Sequence, residues 1–387
     1  MSRTRPLTIL NVRNVYAFGG SDTALIQWAQ ALDKSKFRPL LALFANGDDA
    51  ERQTRERAEA AGIPTVSLPG GRRRRIWRSV RALAALARAE RADLLHLHDV
   101  KSDLVGLIVA RMTGLPVVGS AYAWFGTTSL FRARVYEWLD VWLLKRCAYV
   151  LAISETVRAQ SIERGLDASR VVTMYSGIDF DAFQVTIDRP VVRASLGAAP
   201  DDLLVGNIAR LFPEKDQATL LAAVAHVRAT LPQVRLVIVG DGPLLDTLMA
   251  QARALGIEDR VTFAGFRDDL PAVLQALDLQ VHSSIKEGLP VAVCAGLAAG
   301  LPVVSTDIDG VAELIRDGDT GALVPPGDAH RLAVAMQYWL QHREAAQALG
   351  ARARQQMHDE FRLEAVVGRL EFVYQMTVAG LAIESAP

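Results

Sequence analysis

Short apolar runs alternate along this chain with longer stretches whose apolar residues recur every three or four positions. The short runs at 7–12, 39–44, 65–68, 94–97, 117–119 and 149–153 predict strands, and the periodic stretches at 21–32, 50–61 and 75–90 predict helices. The rhythm pauses between Gly177 and Pro200, where Asp179, Asp181, Asp188, Pro190 and Pro200 interrupt any periodicity. It then restarts, with strands expected at 203–208, 235–239, 261–263, 279–282 and 302–305. Helices are expected at 218–230, 244–254, 269–276, 293–299, 329–342 and 344–360, with a last helix beginning near Arg362. Such βαβ alternation implies parallel sheets covered on both faces and joined by right-handed crossovers. The expected architecture is α/β. Two Rossmann-like domains span 1–180 and 201–387, with a linker at 181–200, and the last helix packs back on the first domain. Ligands of such sheets bind at the carboxyl ends of the strands, which puts the expected active site in a cleft between the domains.

Length agrees with this division, since 387 residues exceed one ordinary core. No apolar run reaches the roughly 18 residues that span a bilayer, and no secretory signal is visible at the start. Cys147 and Cys294 are far apart in apolar stretches and read as reduced core residues. A cytoplasmic enzyme of bacterial type is the expectation. Net charge is zero, yet residues 1–180 hold 26 Lys and Arg against 17 Asp and Glu, while the remainder holds 17 against 26. The basic excess peaks at Arg72, Arg73, Arg74 and Arg75, ahead of a helix with Ile76, Val80, Leu83 and Ala87 on one face. This segment reads either as a solvated helix face or as a contact for anionic lipid head groups or a lipid-linked acceptor. Nucleic acid is not expected, because no aromatic residues interleave with the charges.

Four segments carry candidate chemistry. Asn207 to Lys215 leaves a strand and sets two cations, Arg210 and Lys215, five residues apart around a proline turn, as a diphosphate requires. Val239-Gly240-Asp241-Gly242-Pro243-Leu244 is a strand, a glycine turn and a helix start, and its glycines let backbone approach closely. Ser284 to Pro290 is a turn with one carboxylate, Glu287, ahead of a short helix whose free amides suit phosphate and hydroxyls. In the first half, Gly19-Gly20-Ser21-Asp22 reads as a tight turn or as an amide-rich pocket with Ser21 or Asp22 as the helix cap. His96 and His98 alternate on one strand, but no third ligand at suitable spacing makes them a metal site. Trp124 and Phe125 read equally as a stacking platform for an acceptor sugar and as a half-buried pair.

As an ordered set, these segments resemble the retaining glycosyltransferase family 4 of GT-B fold. Gly206, Arg210 and Lys215 match its G-x-x-x-R-x-x-x-x-K element, Gly240 to Leu244 its G-D-G-P-L turn, and Tyr175 to Asp179 its hinge segment. The resemblance implies that Arg210 and Lys215 bind the donor diphosphate and stabilise its departure. It implies that Glu287 meets the hydroxyls of the transferred sugar, and that the backbone of Gly288, Leu289, Pro290 and Val291 faces the same ligand, Pro290 lacking an amide. Gly240 and Phe266 would flank the nucleobase, and Gly20 would face the donor phosphates. Gly19, Asp99, Tyr122 and Trp124 would line the acceptor side.

Two departures stand out. Relatives usually carry a second Glu eight residues after the first, to accept from the donor ribose, and here that residue is Ala295. Losing such a contact costs about 1.5–3 kcal/mol. Many relatives have His-Gly where this chain has Tyr122-Ala123.

The expectation is therefore a metal-independent hexosyltransferase that moves a sugar from a nucleoside-diphosphate sugar to a hydroxyl acceptor with retention, in polysaccharide or glycolipid assembly. The acceptor would attack on the face from which the diphosphate leaves, and the diphosphate would take the proton. No cofactor is expected, the nucleotide sugar being a co-substrate. The alternative is a nucleotide-sugar-binding subunit, or an engineered or drifted weak enzyme, with little turnover because of Ala295. A Rossmann dehydrogenase is disfavoured, as no G-x-G-x-x-G follows the first strand.

Overall fold

The computed structural model describes residues 5–15, 18–47, 49–70, 76–122 and 131–383. The chain forms two compact units. One comprises Met1–Gly177 with Leu363–Pro387, and the other Ile178–Arg362.

The first unit is built on a seven-stranded, all-parallel sheet in the order β3-β2-β1-β4-β5-β6-β7. Its strands are β1 (Leu7–Arg13), β2 (Phe37–Ala45), β3 (Thr65–Pro69), β4 (Leu94–Leu97), β5 (Val117–Ala121), β6 (Tyr149–Ala152) and β7 (Val171–Thr173). Helices α1 (Gly20–Ala31), α2 (Asp49–Ala60), α3 (Ile76–Ala89), α4 (Val100–Thr113), α5 (Phe131–Leu144) and α6 (Glu155–Glu163) follow the first six strands in turn. β4 and β6 are buried along their whole length, which is why neither alternates polar with apolar residues, His96 being the one polar residue that β4 buries.

Helix α4 shows how local chemistry fixes an element. The Asp99 carboxylate accepts from the Lys101 and Ser102 amides at its start, and Gly114 closes it with φ of 74°. Its Asp103 is fully buried. Burial above all, then the Asp140 carboxylate of α5 and Asp99, holds the Asp103 carboxyl well above its ordinary range, and Asp140 is pushed up to about 7.

The last helix, α14 (Leu363–Ala379), belongs to this first unit. Tyr374 is buried with its ring 6.1 Å from that of Phe37, and the Glu371 carboxylate accepts from the Asp33 amide at 2.7 Å.

The second unit carries a six-stranded parallel sheet, order β10-β9-β8-β11-β12-β13. Its strands are β8 (Leu203–Ile208), β9 (Val234–Val239), β10 (Val261–Gly265), β11 (Leu279–His282), β12 (Val303–Thr306) and β13 (Ala322–Val324). Around them lie α7 (Arg189–Ser195), α8 (Gln217–Arg228), α9 (Leu245–Ala254), α10 (Leu270–Ala276), α11 (Val291–Ala298), α12 (Ala329–Gln341) and α13 (Arg343–Phe361).

The stretch 181–200, read above as a linker, is structured. It holds a 3-10 turn at Asp181–Phe183 and helix α7, and Leu196 and Ala198 join an apolar cluster with Leu204, Val273 and Leu277. Asp188 caps α7, accepting from the Val191 amide, and Asp181 lies inside the 3-10 turn and accepts from the Gln184 side chain, so their spacing imitated a loop.

Strand order reverses between β1 and β4 in the first sheet and between β8 and β11 in the second. Diverging crossovers leave a crevice beyond the carboxyl ends of such strands, and ligands of open α/β sheets bind there. The candidate chemistry of each unit stands at its own reversal.

Candidate functional site

In the second unit the loops after β8 and β11 are bound into one piece. The Ile285 amide donates to the Glu214 carbonyl at 2.9 Å, and the Ser283 hydroxyl to the Lys215 carbonyl at 2.9 Å. The Thr306 hydroxyl at the end of β12 adds a bond of 2.5 Å to the Ser284 carbonyl. These bonds hold Lys215 and Glu287 face to face. The Lys215 ammonium pairs with Glu287 Oε1, both side chains being more than four-fifths buried. Ser284 Oγ donates to the same oxygen at 2.9 Å, and His282 Nε2 lies 3.1 Å from it. Burial would raise the Glu287 pKa, but His282 and then Lys215 outweigh it and bring the carboxyl down to about 2. The site therefore keeps a carboxylate ionised in a dry place, aligned by two donors with the His282 imidazole close beside it.

Asp216, next to Lys215, is one of two described non-glycine residues with positive φ, at 45°. Its carboxylate accepts from the Thr219 hydroxyl at 2.6 Å and from the Thr219 amide at 3.3 Å, capping α8. A short polar side chain that bonds locally tolerates this left-handed backbone, and the turn it makes aims Lys215 at Glu287. Arg210 stands more open, with its guanidinium 4.8 Å over the Phe212 ring and 3.8 Å from Glu214.

The glycine turn after β9 is pressed onto this loop. A Cβ on Gly240, whose φ is 138°, would sit 2.1 Å from the Ala209 carbonyl oxygen. The Leu211 amide donates to the Asp241 carbonyl at 2.9 Å, and the Gly240 amide to the Gly265 carbonyl at 2.8 Å. Phe266, half exposed, follows directly.

Helix α11 starts at Val291 with Pro290 as its cap residue, so Gly288 and Leu289 lead into its first turn. The early amides of a helix have no partner within it and favour anions. Gly310 supports this loop from behind, because a Cβ there would lie 2.2 Å from the Gly288 carbonyl oxygen. Ala295 is on α11 with its methyl among Val239, Leu274, Leu277 and Leu301.

In the first unit the loops after β1 and β4 meet around Arg13. Its guanidinium donates to Asp22 Oδ1 at 3.0 Å, to the His98 carbonyl at 2.6 Å and to Ser21 Oγ at 2.8 Å. Burial opposes its charge, but Asp22, Tyr122 and Asp99 hold it protonated. Asp99 accepts from the Asn14 amide at 2.7 Å besides capping α4. Gly19 is the cap residue of α1, and Asp22 is the third helical residue, accepting from the Gly19 amide at 3.1 Å. The helix thus begins ahead of the cap expected at Ser21 or Asp22, because extended Gly19 frees its amide for the Asp22 carboxylate.

Behind this lies a buried relay. His98 Nε2 is 3.1 Å from Asn11 Oδ1, and His98 Nδ1 is 3.0 Å from the Tyr122 hydroxyl. Ser120 Oγ lies 3.3 Å from His98 Nδ1 and 2.9 Å from His96 Nε2, and His96 Nδ1 is 2.7 Å from the Tyr374 hydroxyl. Burial keeps both imidazoles neutral, His96 at about 3 and His98 well below its ordinary value, and it pushes Tyr122 up to about 12. The ring nitrogens serve hydrogen bonds within the protein.

The structure thus gathers Lys215, Glu287, Gly240 and the α11 start in one unit, and Gly19, Asp99 and Tyr122 in the other. Trp124 and Arg72 to Arg75 lie outside the described residues. His282, Gly310, Arg13 and Tyr374 were not singled out from sequence, and Ser284 was read only as the first residue of the Glu287 turn. Arg13 had a signal, a lone charge ending an apolar strand.

Two family models match the chain. One, for glycosyl transferases group 1, matches residues 188–356, and the other, for glycosyltransferase family 4, matches residues 18–182. The chain belongs to these glycosyltransferases. The crystal structure of Anabaena HepE in complex with UDP-glucose is similar at a TM-score of 0.85 and 26% identity, covering 97% of this chain and 100% of that one. The fold is accordingly GT-B. A UDP-Gal:α-D-GlcNAc-diphosphoundecaprenol α-1,3-galactosyltransferase of Escherichia coli is 27% identical over 259 residues, 65% of this chain and 67% of that protein. The N-acetyl-α-D-glucosaminyl L-malate synthase of Bacillus anthracis is 27% identical over 297 residues, covering 76% and 77%.

Proposed function

We propose that this glycosyltransferase takes its sugar from a nucleoside-diphosphate sugar, with a UDP-sugar as donor, and passes it to a hydroxyl acceptor with retention at the anomeric carbon. The observation that carries this reading is the buried Lys215–Glu287 pair at the β8/β11 reversal. Lys215 and Arg210 carry the charge work on the diphosphate, without a call on a metal ion. Glu287 holds sugar hydroxyls and faces the positive charge that develops at the anomeric carbon. The Gly240 turn and Phe266 take the base. The acceptor hydroxyl attacks on the face from which the diphosphate departs, and the diphosphate oxygen receives its proton. The Anabaena relative was crystallised with UDP-glucose, which supports the donor class. The Escherichia coli relative is named for a diphosphoundecaprenol acceptor, which supports a lipid-linked acceptor and a place in polysaccharide or glycolipid assembly.

A second reading rests on Ala295, whose methyl offers no acceptor for a ribose. On it the chain binds nucleotide sugar but turns it over poorly. Thermal shift with UDP, GDP, UDP-glucose and GDP-mannose, read beside release of free nucleoside diphosphate, tests both, since ligands of the folded state raise its melting temperature. A selective UDP-series shift with turnover supports the first reading, and a shift without turnover supports the second. No shift with any nucleotide overturns both.

A further inference from the structure

Helix α5 packs one face against the unit and sets a second, apolar stripe outward. Val141 and Leu144 are buried, Asp140 faces Asp103 of α4, and the Glu137 carboxylate accepts from Arg164 at 2.9 Å. These residues, at 137, 140, 141 and 144, have the spacing of one helix face. The opposite stripe is Val135, Trp138 and Trp142, again three and four residues apart, and these side chains are 47%, 65% and 41% exposed. Large aromatic rings set out in water at helical spacing mark a contact surface.

The surroundings are basic. The Arg146 guanidinium lies 3.3 Å over the Trp142 ring and shares a groove of about 640 Å³ with Arg111 and Arg170. Leu107, Leu115 and Val117 floor the groove. Lys145 is exposed beside Arg146, and Met112 beside Arg111. Of the nearby acids, Glu137 is taken up by Arg164, and Asp167 stands 3.8 Å from Arg170.

We propose that the stripe Val135, Trp138 and Trp142, with Arg111, Arg146 and Arg170 beside it, docks on an anionic lipid bilayer. Tryptophan has an apolar body and a polar N–H, and so settles where acyl chains meet head groups. From Val135 to Trp142 the helix rises only about 10 Å, so it lies along the surface and inserts rings without crossing. Arginine offers planar, weakly hydrated donors that match lipid phosphates in pairs. No helix among the described residues is long and apolar enough to cross a membrane, which agrees with a peripheral contact. This surface does not depend on the donor chemistry proposed above.

The test is co-sedimentation of the full chain with vesicles of phosphatidylcholine alone or with phosphatidylglycerol. The wild type should prefer the anionic vesicles and lose them as salt rises. Trp138→Ala with Trp142→Ala should weaken binding about tenfold, and charge reversal at Arg111, Arg146 and Arg170 about fivefold per residue. Trp138, Arg111, Arg146 and Arg170 are largely exposed, so their variants should keep melting temperatures near that of the wild type, while Trp142, 41% exposed, is the one whose loss could lower it. Trp138→Ala alone, at the most exposed site, covers a failure of the double variant to fold. Equal binding to both vesicle types, or anionic binding untouched by either set of variants, overturns the proposal. So does a concentration-dependent dimer, seen in sedimentation velocity, that the tryptophan variants abolish while vesicle binding is absent.

Discussion

His282 Nε2 lies 3.1 Å from Glu287 Oε1, so the last residue of β11 braces the carboxylate five residues further on in the following loop. Removing that brace should loosen Glu287 without unfolding the sheet. His282→Ala should lower kcat/KM by roughly tenfold, because it removes the imidazole that keeps the carboxylate in place. His282→Gln, which keeps a donor, should recover part of the loss. Steady-state kinetics with UDP-glucose checks both, and equal activity in all three proteins would remove His282 from the site.

The depressed Glu287 carboxyl has a pH signature. Its folded value of about 2 lies below the ordinary 4.5, so its contribution to stability is complete above pH 4.5 and is lost as pH falls through 2. The size is on the order of 3 kcal/mol. Glu287→Gln should flatten the acid side of the stability profile between pH 5 and 2.5, measured by urea titration at each pH.

Asp103 and Asp140 act with the opposite sign. Both are raised, Asp140 from 3.8 to about 7, so the folded unit holds protons that the unfolded chain gives up. That contribution is complete below pH 3.8 and is lost as pH rises through about 7. Asp99, Glu137 and the buried Cys147 thiol are the titratable neighbours. Asp103→Asn removes the charge at constant shape. It should stabilise the protein by about 1–3 kcal/mol at pH 8 and do much less at pH 5. A melting series across that range decides, and a uniform shift at every pH would contradict it.

Gly240→Ala should be severe. The added methyl meets the Ala209 carbonyl at 2.1 Å on a backbone of φ 138°, and the Arg210 loop must give way. A loss of roughly 2–3 kcal/mol is expected, together with weaker UDP binding. Gly256→Ala is the matched control. Its φ is 66° with nothing within 4 Å of the added carbon, so only about 1–2 kcal/mol and no change in nucleotide binding should follow.

Ala295→Glu divides the two functional readings. Its side chain must leave the Val239 and Leu301 cluster or carry a carboxylate into it, so the free protein should lose about 1–3 kcal/mol. If a ribose acceptor is what the chain lacks, UDP affinity should nevertheless rise about tenfold by calorimetry. Lower stability with no gain in affinity would mean that the donor is held in some other way.

Much of this was legible in the order of residues. The apolar runs gave eleven of the thirteen parallel strands to within a residue or two, because buried β-strands leave short apolar stretches, while the three-residue edge strands β7 and β13 were too short to show. Arg210, Lys215 and Glu287 stood out because charge is rare at strand ends beside Gly and Pro. His282 and Gly310 did not, since a histidine closing a strand and a glycine in a loop mean nothing until the chain brings Glu287 and Gly288 against them. The helix at 189–195 was hidden for a related reason. Its proline occupies the first turn, where a missing amide costs nothing, so the same residue serves a loop and a helix start.

The return of α14 makes the second unit an insertion in the first, and this sets an order of assembly on the ribosome. Residues 178–362 are all synthesised before Tyr374 exists to close over Phe37 and His96. The unit begun first is therefore the one finished last. A nonsense codon near 363 would leave the donor-side fold whole and strip the amino-terminal one of a core side chain, so damage at one end of the message would surface at the other end of the protein.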